Sequence, residues 1–156
     1  MITITRKASD NKYLHRDFHI TLNILLEYID KQFGKDAVIQ YLKQYVRAYH
    51  QPLHEQLKAG NMTALLDYLT QIYQKEEWTV RIRTDEDSIE LQQDACPGIS
   101  HIRTSGNHPY THYAETYRTV YETICEDTPF QYHLQQFDDE TGACTQLFTK
   151  KGEERL

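Results

Sequence analysis

Cys96, Cys125 and Cys144 are the only thiols in this chain of 156 residues, and all three fall between Asp94 and Cys144. The same stretch holds four of the eight histidines: His101, His108, His112 and His133. Thiolates are nucleophiles, imidazoles carry protons near neutral pH, and both ligate metals. Cys96 ends an expected strand just before Pro97-Gly98, which turns it toward a loop, with His101 and Arg103 close behind. A thiol whose pKa is lowered by a neighbouring base or cation attacks electrophilic carbon. Without such a neighbour the same residue is a small buried hydrophobe. Cys144 shares a strand face with Gln146 and Phe148, so it either lines a cleft opposite Cys96 or packs in the core. Cys125 reads as packing.

Three further groups could carry chemistry. His15 and His19 stand one helical turn apart and share an inward stripe, a spacing that can hold Zn²⁺ or another transition metal given a third ligand. The same pair also reads as histidines hydrogen-bonded near a helix end. His50 and His54 repeat the spacing with Pro52 between them. His108, His112, Tyr113 and Glu115 gather where a helix begins, and unpaired N–H groups there favour a carboxylate-bearing ligand anchored by Arg103. Tyr117 lies one turn beyond Tyr113 on the same stripe. There is no Gly-rich phosphate loop, no GxSxG and no HExxH, so no cofactor is expected.

The elements that must position these residues follow from periodicity. Apolar residues recur at helical spacing from Tyr13 to Phe33, again from Lys35 to Tyr49, and from Met62 to Tyr73. Gly34 and Gly60-Asn61 punctuate them, and Pro52 starts a short continuation to about Lys58. At Trp78 the period changes to two, predicting a hairpin of Trp78 to Arg83 with Ser88 to Cys96. A polar loop, a helix from Tyr110 to Ile124, and strands at Phe130 to Phe137 and Ala143 to Lys150 complete the chain. This predicts a single α+β domain over residues 1–156: N-terminal helices, then a four-stranded antiparallel sheet in β-β-α-β-β order.

Composition narrows the partners. Seventeen basic residues against 23 acidic ones give a net charge of -6, which opposes nucleic-acid binding. No apolar run approaches the roughly 20 residues that span a bilayer. An odd number of scattered cysteines, with no secretory signal, points to the cytoplasm. Twelve tyrosines against five phenylalanines suit either half-buried packing or a wet pocket. The expected partner is a small-molecule substrate or ligand, with a homo-oligomer left open.

Three short segments, Asp94-Ala-Cys-Pro97, Thr111-His-Tyr-Ala-Glu115 and Phe137-Asp-Asp-Glu-Thr-Gly-Ala-Cys144, together with the helix junction Leu26 to Val38, resemble the bacterial L-2-amino-thiazoline-4-carboxylic acid hydrolase family. The architecture is also similar to ligand-binding domains of the 4-vinyl reductase type. Family members commonly carry a cysteine where Ala114 stands here. The resemblance implies a hydrolase of a small cyclic amidine or thiazoline, with Cys96 as nucleophile and His101 or His112 transferring protons. Arg103, Tyr113, Glu115, Tyr117 and Cys144 would then contact the ligand. The alternative is a non-enzymatic small-molecule-binding or sensor domain.

Overall fold

The structure is a computed structural model that describes residues 15–152, with side chains described from Phe18 onward. Four helices come first: α1 (His15–Phe33), α2 (Lys35–Tyr49), α3 (Gln51–Lys58) and α4 (Met62–Lys75). The hairpin β1 (Arg81–Thr84) and β2 (Ser88–Gln93) follows. Then come α5 (Pro97–Thr104), α6 (Glu115–Ile124), β3 (Phe130–Gln135) and β4 (Cys144–Lys150).

The punctuation is local chemistry. Gly34 takes φ 85° between α1 and α2, a left-handed conformation that a side chain disfavours. Pro52 sits in the first turn of α3, where its missing N–H leaves no helical bond unmade. The Asn61 side chain accepts from the Ala64 N–H at 3.2 Å and so caps α4. Trp78 lies outside β1, its indole N–H donating to the Ala95 carbonyl at 2.8 Å. Phe33, expected on the inward stripe, is exposed at the end of α1.

The expected α+β class holds, with all strand pairs of the sheet antiparallel. The β-β-α-β-β order does not. The strands lie side by side as β1-β2-β4-β3, and two helices separate β2 from β3. The added helix is α5, built from residues whose Pro-Gly start reads as a loop. Proline is favoured in a first helical turn, and here Cys96 precedes it as N-cap.

Alternation along the strands gives the sheet one covered face. Ile89, Leu91 and Gln93 of β2, Cys144, Gln146 and Phe148 of β4, and Phe130 and Tyr132 of β3 are buried. The side chains between them, such as Gln131 and His133, face outward. The covered face joins Leu65, Leu69, Tyr73 and Ile124 in one hydrophobic cluster. A second cluster joins α1, α2 and α5 through Leu26, Val38, Leu42, Ile99 and Ile102. Val120 of α6 packs against both. The two clusters meet without merging, and the space at their junction positions the site.

Candidate functional site

At that junction lies a cavity of about 170 Å³. Rings form much of its wall: Tyr41 and Tyr45 from α2, Tyr68 and Tyr73 from α4, and Tyr117 and Tyr121 from α6. Cys96, Tyr113, His19 and Glu76 border it as well, and so does His50.

Cys96 stands at the helix boundary. It lies beyond the end of β2 at Gln93 and not, as expected, at the strand's last position; its backbone N–H donates to the Thr141 carbonyl at 2.8 Å, and its sulfur accepts from the Ile99 N–H at 3.5 Å. The Tyr117 hydroxyl donates to the same sulfur at 3.0 Å. Only 2% of Cys96 is exposed, so burial pushes its thiol pKa up. Hydrogen bonds from Tyr117, from the Ile99 and Gly98 N–H groups and from Tyr113 work against that rise. Two glycines admit this crowding. A Cβ on Gly98 would collide with the Tyr113 hydroxyl and with His19 Nδ1. One on Gly142 would collide with Cys96 Cβ.

The Tyr117 bond is the end of a chain that crosses the sheet. The Tyr132 hydroxyl donates to Gln146 Oε1 at 3.1 Å, and Gln146 Nε2 donates to the Tyr73 hydroxyl at 3.3 Å. Tyr73 donates to Gln93 Oε1 at 2.6 Å, and Gln93 Nε2 donates to the Tyr117 hydroxyl at 3.2 Å. Gln93 Nε2 also reaches the Gly142 carbonyl at 2.7 Å. Along this series, from Tyr132 to Tyr117, each group donates toward the sulfur. Aligned bonds polarise one another, so the chain favours negative charge at its Cys96 end.

On the other side of Cys96, His19 Nε2 lies 3.1 Å from Glu76 Oε1. Since His19 Nδ1 and the Tyr113 hydroxyl both border Gly98, the series Glu76, His19, Tyr113, Cys96 is spatially continuous. Glu76 and His19 were set there by α4 and α1, so a site expected in the second half of the chain draws on the first.

The remaining wall holds His50, which is 5% exposed. Its ring meets those of Tyr45, Tyr49 and Tyr68 at centroid distances of 5.6, 5.0 and 5.3 Å, nearly perpendicular in each case. Burial lowers its pKa to about 4.

Several expected site residues lie elsewhere. His101 is half-buried on α5, outside the cavity wall. Arg103 forms an ion pair with Glu140 at 2.8 Å. His112 packs its ring edge-on against Tyr110 at 5.6 Å. Glu115 is buried against Lys35 at 3.0 Å and accepts from Thr119 at 2.7 Å. Burial raises its pKa, but these bonds and the Lys35 and Arg118 charges outweigh that and leave it lowered. Cys144 is buried opposite Gln93 in the β2–β4 register, its pKa pushed up to about 12 by burial and then by Cys96. The His15 side chain lies outside the described residues. Among the described residues no three His, Cys, Asp or Glu side chains are grouped to hold a metal ion.

No family model matches this chain, and no curated protein matches it.

Proposed function

We propose that this chain is a small-molecule-binding domain whose ligand occupies the cavity between the two hydrophobic clusters. The observation that carries the reading is the cavity itself, ring-walled and bordered by a few polar groups. Pockets of this composition bury most of a small ligand's surface while the polar groups orient it. No helix of the described residues is long and apolar enough to cross a membrane, and three free cysteines suit a reducing cytoplasm. The test is a thermal-shift and calorimetric screen of ring-sized compounds on the full chain, repeated on Val120→Phe. Binding by the parent protein that is lost in this cavity-filling variant is the expected result. No binding by any ring-sized compound overturns the reading.

A second reading is favoured by the donors gathered on Cys96 and by the Glu76, His19, Tyr113 series. It is a cysteine-dependent hydrolase of a small cyclic amidine or thiazoline, the activity suggested by the family resemblance. The Cys96 thiolate would add to the ring C=N carbon, with Tyr113 and His19 returning a proton to the ring nitrogen. Hydrolysis of a thiazoline that survives in Cys96→Ala would remove this reading and leave the binding domain.

A further inference from the structure

We infer that His50 is the recognition residue of the cavity, and that its ligand is an uncharged aromatic ring compound donating one ring N–H to the imidazole. The inference rests on the proposal that the cavity binds a ligand at all.

The His50 imidazole lines the cavity and is almost wholly removed from solvent. Neither of its nitrogens makes a hydrogen bond to a described residue; its neighbours are the rings of Tyr45, Tyr49 and Tyr68. A buried polar group without a partner is costly, and most such groups in folded proteins are satisfied by protein, water or ligand. The hydroxyls of Tyr45, Tyr68 and Tyr121, on the same wall, likewise have no hydrogen bond to a described residue. This part of the cavity therefore offers recognition groups that contacts among the described residues leave unused.

The surroundings set the ligand's chemistry. Among the described residues no lysine or arginine lines the cavity, so an anion finds no countercharge from them. The carboxylate that the described residues place on the wall, Glu76, is already engaged by His19 at 3.1 Å, so it is no free countercharge for a cation. An uncharged ligand fits both facts. Burial keeps His50 neutral, and a neutral imidazole presents one bare nitrogen, an acceptor stronger than a tyrosine hydroxyl. A ring N–H lies in the plane of its own ring, so it can reach that nitrogen while the ring faces rest on tyrosines. The volume of about 170 Å³ sets the size. An engineered apolar cavity of roughly 150 Å³ takes up benzene, so one ring or two small fused rings fit.

Indole and indene test this, since they share shape and differ in the N–H. Calorimetry on the full chain at neutral pH should give indole a Kd about tenfold lower than indene, the scale of one buried hydrogen bond. In His50→Phe the preference should vanish through weaker indole binding, while His50→Gln, which keeps a side-chain acceptor, should retain part of it. Equal affinities for the two compounds in the parent protein would overturn the role of His50 and leave the cavity as a binding site. An indole preference that persists in His50→Phe would do the same. Choline binding more tightly than indole would overturn the uncharged class. If neither indole nor indene binds while other ring compounds do, the N–H class fails alone. If no ring compound binds, the proposed function fails with it.

Discussion

A thiol and an imidazole share one cavity wall, and burial drives each toward its uncharged form, with opposite consequences for pH. The folded His50 pKa of about 4 lies below the ordinary value of 6.5, so below 6.5 the unfolded state binds the proton first. The stability tied to neutral His50 is present in full above pH 6.5 and is lost progressively as pH falls to about 4. It amounts to at most about 3 kcal/mol. Urea denaturation at pH 7, 5.5 and 4 should show that decline, and His50→Phe should flatten it. Cys96 behaves in the reverse sense. Its folded pKa is raised, so unfolding exposes a thiol that ionises more readily, and stability declines as pH rises above the thiol's ordinary value. Iodoacetamide should react with folded Cys96 more slowly at pH 8 than with the same thiol in urea. Tyr117→Phe, which removes the donor at 3.0 Å, should raise its pKa further. Faster alkylation at pH 8 in that variant, with the fold intact, would contradict the role given to the hydroxyl. Cys96, Tyr113 and Tyr117 were legible in the sequence as neighbours of a strand end and a helix stripe. His50 was not. Its spacing to His54 suggests a shared face, but α3 starts afresh between them, and His54 points away to bond the Glu126 carbonyl at 2.7 Å.

At the scale of elements, the segment that misleads is Pro97-Gly98. The pair has turn chemistry, yet proline suits a first helical turn and the glycine serves close approach rather than a bend. Gly98→Ala should force the Tyr113 hydroxyl and His19 apart and cost about 1–3 kcal/mol by overpacking. Gly142→Ala adds left-handed strain at φ 72° to a collision with Cys96, for a loss of about 2–4 kcal/mol. Chemical denaturation checks both, and a loss under about 0.5 kcal/mol at either site would show that the neighbours yield freely. The crossing chain of hydrogen bonds was half visible. Gln146 falls on the inward face with Phe148, and Gln93 stands in step with Ile89 and Leu91; a polar residue at an inward strand position signals a buried partner. The partner itself, Tyr73, lies on a helix that precedes the sheet, and no local pattern names it. Gln93→Leu takes the side-chain donor from the Gly142 carbonyl and from the Tyr117 hydroxyl, and leaves the Tyr73 hydroxyl proton without its acceptor. Thermal denaturation should register a loss of about 2–4 kcal/mol.

At the scale of the molecule, the period change at Trp78 separates helices from sheet correctly, because one-sided burial imposes its period on each element. Pairing order is a long-range property and leaves no such mark, so the place of β4 between β2 and β3 could not be read. That place makes the protein's assembly a matter of timing. A ribosome releases the β1–β2 hairpin and then β3 before β4 has cleared the exit tunnel, and β2 is not hydrogen-bonded to β3. The sheet stays open until its middle strand arrives last, leaving two bare edges and the inward glutamine and tyrosines exposed to other chains meanwhile. Nascent chains stalled with residues up to Gly142 outside the exit tunnel should be digested readily by protease. Those released through Lys150 should turn resistant in one step.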